Sequence, residues 1–114
     1  MGSDFPDQAQ IVIIGGGVVG CSVAYHLAEL GVSDVVLLER KSLTSGTTWH
    51  AAGLVGQLRA TQNLTRLAQY TTNLYADLEK LTGQATGFRQ NGSLSLATDE
   101  ERFEELKRGA SMAS

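Results

Sequence analysis

The feature that most narrows the folds open to this chain lies in residues 11–40. Ile11-Val12-Ile13-Ile14 runs into Gly15-Gly16-Gly17-Val18-Val19-Gly20, and Val35-Val36-Leu37-Leu38 closes on Glu39. Both tetrapeptides are apolar without alternation, the pattern of strands covered on both faces in a parallel sheet. Between them Val19, Val23, Leu27 and Leu30 recur at spacings of 4, 4 and 3, which predicts a helix over Val18 to Leu30 with these side chains on one face. Gly31 is a suitable residue to end it. The unit is β-α-β, and its crossover is expected to be right-handed.

The turn matches G-x-G-x-x-G, a weak signal alone. Here a strand precedes it, a helix follows it, and Glu39 ends the next strand 19 residues beyond Gly20. Each position has a physical reason. Gly15 permits the tight turn, Gly17 lets backbone approach a diphosphate, and Gly20 lets helix and strand pack closely. The first-turn N–H groups, Val18 and Val19 included, then face phosphate at the positive end of the helix. The Glu39 carboxylate accepts hydrogen bonds from a ribose diol and repels a 2′-phosphate, which disfavours NADP. The alternative is a glycine turn that holds no ligand. The residues of the turn do not say which dinucleotide is bound.

Composition removes other classes. The 114 residues carry a net charge of −3, which gives no electrostatic footprint for nucleic acid. A single cysteine rules out an internal disulfide framework or a Cys-rich zinc module, and no metal site is expected. Ile11 to Ala28 lacks charge apart from His26 and resembles a membrane span or signal segment. Asp4 and Asp7 before it and the glycines within it argue against both. No membrane association is expected. The cytoplasm is the default compartment, or the mitochondrial matrix in a eukaryote, although no transit peptide is visible.

Met1 to Gln10 reads as a polar, poorly ordered leader. After the βαβ unit, Ser42 to Gly56 is a loop of small residues with room for a short helix near Thr47 to Ala52. A long amphipathic helix follows, about Gln62 to Leu81. Its apolar stripe is Leu64, Leu67, Thr71, Leu74, Leu78 and Leu81, and Gly83 ends it. Asn91-Gly92 predicts a hairpin between Phe88–Gln90 and Ser93–Ala97. Thr98 with Glu101 reads as a capping box for a last helix carrying Phe103 and Leu106, with Gly109 the only candidate stop. Cys21 reads as a small buried side chain, His26 as surface or packing, and Glu100, Glu101, Glu104 and Glu105 as a solvated face. Arg59 has the chemistry to meet a phosphate or carboxylate, but nothing in the sequence demands it.

Beyond Glu39 and Arg40, an NAD domain usually enters an ordinary helix. This chain instead continues Ser45-Gly46-Thr47-Thr48-Trp49-His50-Ala51-Ala52-Gly53, small residues and hydroxyls suited to an extended flat cofactor. With the segment from Ile11 to Arg40, it resembles the N-terminus of FAD-dependent amine oxidoreductases of the D-amino acid oxidase-like superfamily. Trp49-His50-Ala51-Ala52-Gly53 is most similar to the dimethylglycine and sarcosine dehydrogenase branch. The resemblance extends through the long helix to Ala97, and Trp49–Gly53 is its more specific part. It implies FAD as cofactor, and in that branch the histidine matching His50 is joined covalently to the flavin's 8α-methyl group. An imidazole nitrogen is a competent nucleophile for that bond. The alternative is a histidine hydrogen-bonded within the loop beside noncovalent flavin.

The candidate cofactor-binding residues are therefore Gly15, Gly17, Val18, Val19, Gly20, Glu39, Arg40, Ser45, Gly46, Thr47, Thr48, Trp49 and His50. Ser45 to Thr48 either bond diphosphate or ribityl oxygens or form a solvated turn, and Trp49 packs beside the ring. The expected fold class is α/β, the opening βαβ of a Rossmann-like FAD domain plus a long helix and a hairpin. A doubly wound domain needs more strands, so residues 11–114 are expected to be the N-terminal portion of a longer domain. Catalytic residues and a substrate domain are then expected beyond Ser114. The resemblance implies hydride transfer from an N-methyl amino acid such as dimethylglycine or sarcosine to flavin, with folate as a partner of a downstream region and the electron acceptor unknown. Two other readings stand beside it: a non-catalytic regulatory flavoprotein resembling the regulatory subunit of pyruvate dehydrogenase phosphatase, and an NAD-binding domain.

Overall fold

The structure, a computed structural model, describes residues 5–113. They fall into two compact units, the first ending at Ala52 and the second beginning at Gly53. Of the expected leader, residues 1–4 lie outside the described residues. From Phe5 to Gln10 there is no helix or strand, but this stretch is not free of the fold. Phe5, Pro6 and Ala9 line one apolar hollow with Val12, Val36 and Leu38. The Gln10 N–H also donates to Asp34 Oδ2 at 2.9 Å.

In the first unit, β1 (Ile11–Ile14) and β2 (Val35–Leu38) pair in parallel, with Ile11 opposite Val35 and Ile14 opposite Leu38. Helix α1 (Val18–Glu29) connects them and packs on one sheet face. Its C-terminus closes as a Schellman motif. Gly31 has φ +80°, and the N–H groups of Gly31 and Val32 donate to Ala28 and Leu27 carbonyls at 2.9 Å each.

Two expectations about faces fail here. Ile13, 9% exposed, lies under α1, but Ile14 on the other face is 87% exposed. Among the described residues that second face has no helix over it and only Phe5, Pro6 and Ala9 beside Val12, Val36 and Leu38, because one helix supplies one layer. The α1 stripe also points largely outward: Val19 is 74% exposed, Val23 and Leu30 are exposed with it, and Leu27 is half-buried. The helix turns Gly20 to the sheet instead, where a side chain would meet the Gly15 carbonyl and Ile13. Close backbone approach, not the bulk of the valines, selects the inner face.

In the second unit, α2 (Gln62–Thr82) has the predicted extent. Thr61 caps its start by accepting from the Leu64 N–H, and Gly83, at φ +72°, ends it with an N–H bond to the Glu79 carbonyl. The predicted leucine stripe is only partly inward: Leu64, Leu67 and Leu81 are exposed and Thr71, Leu74 and Leu78 half-buried, whereas Thr65, Ala68 and Thr72 are buried. Polar docking of residues 57–59 is the cause. Gln57 Nε2 donates to Thr72 Oγ1 at 2.7 Å, and the Arg59 N–H donates to Thr65 Oγ1 at 3.1 Å.

The predicted hairpin is absent. Residues 83–99 contain no strand, and Leu94 and Leu96 are exposed. An Asn-Gly turn is insufficient where neither arm has a sheet or helix to pack on, because an isolated two-stranded ribbon is marginal in water. Helix α3 (Glu100–Ala113) is capped one residue later than predicted, with the Arg102 N–H donating to Asp99 Oδ1 at 2.7 Å. It runs through Gly109 without stopping. Its acidic face is solvated as expected, with i,i+3 pairs Arg102–Glu105 and Lys107–Glu104. Such exposed pairs contribute little.

Candidate functional site

The glycine turn joins the C-terminal end of β1 to the start of α1 and is held from four directions. Gly15 has φ +106°, a conformation a side-chain-bearing residue rarely adopts, and its N–H donates to the Leu38 carbonyl at 2.8 Å. The Gly16 N–H donates to Glu39 Oε2 at 2.8 Å. The Gly16 carbonyl accepts from the Thr44 N–H at 2.8 Å and from the Cys21 thiol at 3.5 Å. The first helical hydrogen bond runs from Cys21 N–H to the Gly17 carbonyl at 2.9 Å, so the N–H groups of Gly17, Val18, Val19 and Gly20 have no helical acceptor.

Gly17 has no side chain with which to cap the helix, and Thr48 does so from a distance. The Val18 N–H donates to Thr48 Oγ1 at 2.9 Å. Among the described residues, the N–H groups of Gly17, Val19 and Gly20 meet no acceptor. The result is a cluster of donors at the positive end of a twelve-residue helix, with no side chain in front of it at Gly17. A Cβ on Gly17 would lie 3.0 Å from Thr48 Oγ1 and crowd this space.

Glu39 stands beside the turn. Its Oε1 accepts from the Lys41 N–H at 2.9 Å, opposite the Gly16 bond to Oε2. The Gly16 hydrogen bond, then that of Lys41, holds the carboxyl below its ordinary value, so it is ionised at neutral pH. Each carboxylate oxygen keeps lone-pair capacity for a further donor such as a sugar hydroxyl. A groove of about 470 Å³ opens here at the carboxyl ends of both strands, lined by Phe5, Ile14, Gly15, Leu38, Glu39 and Arg40 among others. That is where open α/β sheets bind ligands.

The small-residue loop forms a 3-10 helix at Thr47–His50. The Gly46 carbonyl accepts from the Trp49 N–H at 3.2 Å and lies 3.0 Å from His50 Nδ1. A carbonyl only accepts, so Nδ1 carries the proton in this bond, and Nε2 of the neutral ring is the nitrogen with a free lone pair. His50 is exposed and Trp49 is 79% exposed, so neither is locked into a core. The Ser45 hydroxyl is engaged by the Ser42 carbonyl at 2.7 Å.

The structure therefore brings together Gly15, Gly17, Val18, Gly20, Glu39 and Thr48. Val19 contributes its N–H from the first turn of α1, Arg40 lines the groove, and Ser45, Gly46, Thr47, Trp49 and His50 form the adjoining turn. Three residues of the cluster escaped sequence reasoning. Gly16 stood at a variable position of the motif, yet it is buried, and a Cβ there would lie 2.5 Å from Leu43 Cδ2. Leu43, a single leucine in a polar loop, was the available signal. Thr44, at φ +63°, has no sequence signal, because threonine is disfavoured in that conformation.

Strand, donor-rich glycine turn, helix and strand-end acid define a dinucleotide-binding βαβ unit. The family pattern described as DAO, FAD dependent oxidoreductase, matches residues 10–114. This chain belongs to that family of FAD-dependent oxidoreductases. Among curated relatives, the mitochondrial dimethylglycine dehydrogenase of Rattus norvegicus is 52% identical over 104 residues, which is 91% of this chain and 12% of that protein. The mitochondrial sarcosine dehydrogenase of Mus musculus is 51% identical over 104 residues, 90% of this chain and 11% of that protein. The mitochondrial pyruvate dehydrogenase phosphatase regulatory subunit of Mus musculus is 46% identical over 103 residues, 90% of this chain and 12% of that protein. Among solved structures, L-proline dehydrogenase from P. horikoshii superposes with a TM-score of 0.85 at 29% identity, covering 95% of this chain and 28% of that one.

The chain thus spans about an eighth of the length of these curated relatives. Its cofactor class is FAD, and the residues present fit that group: unpaired donors at a helix start, an opening that a Cβ on Gly17 would crowd, and an ionised carboxylate beside it. Among the described residues, no helix is long and apolar enough to cross a membrane.

Proposed function

We propose that this chain is the FAD-binding N-terminal portion of an oxidoreductase that oxidises N-methyl amino acids of the dimethylglycine and sarcosine type. The observation that carries the reading is the donor cluster at the start of α1 with the Glu39 carboxylate beside it. The similarity to the rat and mouse dehydrogenases supports the substrate class. When bound, FAD supplies the redox chemistry, accepting a hydride from the substrate's methyl carbon.

The residues of this chain bind and orient. Gly15 and Gly20 set the turn. The N–H groups of Gly17, Val19 and Gly20 hold the diphosphate, with Val18 anchored beside them. Glu39 grips the ribose diol and, with Arg40, borders the adenosine groove. Ser45, Gly46, Thr47 and Thr48 line the path toward the ring, and Trp49 packs beside it. His50 Nε2 would hold the ring through a bond to the flavin's 8α-carbon: the methyl group and the imidazole each give up a proton, and the two electrons left on the ring pass to dioxygen or to the enzyme's electron acceptor. Groups that bind substrate or handle its protons lie beyond Ser114, as does any folate-binding region that captures the one-carbon product. The compartment is the mitochondrial matrix if the host is a eukaryote, in keeping with the mitochondrial dehydrogenase relatives, and the cytoplasm otherwise.

A second reading has its own support. The phosphatase regulatory subunit is nearly as similar as the dehydrogenases, which supports a non-catalytic regulatory flavoprotein as the alternative for this chain. Anaerobic addition of dimethylglycine or sarcosine to the flavin-loaded protein separates the two. Bleaching of the visible flavin band is expected for the enzyme, and an unchanged spectrum with both amines would refute it.

A further inference from the structure

We propose that Thr48 is a positioning residue: its hydroxyl locks the turn carrying His50 to the diphosphate-binding end of α1, so that seating the diphosphate also sets the imidazole for attachment to flavin. The proposal rests on the reading of His50 as the attachment residue.

The geometry that carries it is a pair of anchors. The loop after β2 touches the glycine turn first through the Thr44 N–H, 2.8 Å from the Gly16 carbonyl, and again through Thr48 Oγ1, 2.9 Å from the Val18 nitrogen. At the first anchor the backbone is strained, since Thr44 is β-branched and sits at φ +63°. A loop that served only as a solvated connection would relax. Strain of this kind persists where surrounding contacts over-determine the conformation.

Around the second anchor the turn is tied together by its own hydrogen bonds. The Gly46 carbonyl binds both the Trp49 N–H and the His50 ring, and the Thr48 carbonyl accepts from the Ala51 N–H at 3.2 Å. Thr48 is the residue of this turn whose side chain bonds to α1. Its oxygen accepts from Val18, so its own O–H proton is left for a diphosphate oxygen. That hydroxyl thereby joins the two ends of the cofactor site through one side chain. Without it the diphosphate donors of Gly17, Val19 and Gly20 persist, but the imidazole loses its fixed relation to them.

The test is reconstitution of the apoprotein with saturating FAD, following flavin retained after acid precipitation against time. T48V, which has no acceptor, should attach flavin roughly three- to tenfold more slowly than wild type, with T48S within about twofold of it. Attachment by T48V at the wild-type rate, or by T48S as slowly as T48V, would overturn the proposal. T48A is judged by the same criteria should T48V not fold. If wild type releases all its flavin on denaturation, the His50 reading fails separately. Thr48 is then judged by the visible circular dichroism of bound flavin: a change in T48V restored in T48S supports it, and identical spectra refute it.

Discussion

Replacing Gly20 by alanine should damage the site more than any other single methyl group. A Cβ built on Gly20 collides with the Gly15 carbonyl oxygen, and it also lies 3.1 Å from the Gly15 carbonyl carbon and 3.4 Å from Ile13 Cγ2. The obstruction is backbone, so no rotamer change relieves it, and α1 must retreat from the sheet. Overpacking of this kind costs about 1–3 kcal/mol. Alanine's better helix propensity returns about 1 kcal/mol, leaving a net loss of at most about 2 kcal/mol. The larger effect falls on the cofactor. The donors of Gly17, Val19 and Gly20 ride on the displaced end, and each hydrogen bond to a charged phosphate contributes about 1.5–3 kcal/mol. Losing alignment of even one weakens FAD by roughly tenfold or more. Flavin fluorescence titration of the apoprotein, with thermal unfolding in parallel, measures both. Gly56→Ala is the control, since Gly56 lies outside the site and its Cβ would meet only the flexible tip of Arg59, at 3.4 Å. A Gly20→Ala protein that binds FAD and melts like wild type would refute the close-approach argument.

Other expectations concern charge and helix ends. Because the Gly16 and Lys41 N–H groups hold the Glu39 carboxyl below its ordinary value, the folded state binds its proton less readily than the unfolded chain. The resulting stability is complete above the ordinary carboxylate range and is lost as pH falls through the lowered folded value. Glu39→Gln should flatten that acid limb in melting curves taken across pH, and should weaken FAD by roughly tenfold or more through loss of charged bonds to the ribose. Asp99→Ala should cost about 1 kcal/mol in urea unfolding by uncapping α3, while Thr98→Ala stays within a few tenths. Gly109→Ala should raise stability by about 0.5–1 kcal/mol, because Gly109 is mid-helix and its Cβ would make an ordinary 3.6 Å contact with Leu58.

What was legible in the sequence was local chemistry. The glycine turn, the ends of α1 and α2 at Gly31 and Gly83, and the strand-end acid each follow from a residue's own backbone or charge. Which face of a helix turns inward was not legible, because that depends on its neighbours. Periodicity favoured Val19 and Val23 for α1, yet the sheet demanded Gly20. It favoured leucines for α2, yet hydrogen bonds from Gln57 and Arg59 drew in Thr72 and Thr65. The hairpin failed for the same reason: Asn91-Gly92 specifies a turn, while strands need partners. Within the site, the roles of Gly16 and Thr44 arise from backbone groups that every residue type carries, so no side chain announced them.

The central claim is that the opening βαβ unit holds FAD by its adenosine diphosphate half. Its most direct test is titration of the apoprotein with FAD, alone and in the presence of excess ADP, beside titration with riboflavin. The account predicts one FAD bound per chain, competition by ADP, and binding of riboflavin weaker by orders of magnitude. A protein that takes up riboflavin as tightly as FAD, or whose uptake of FAD is not slowed by ADP, would contradict it.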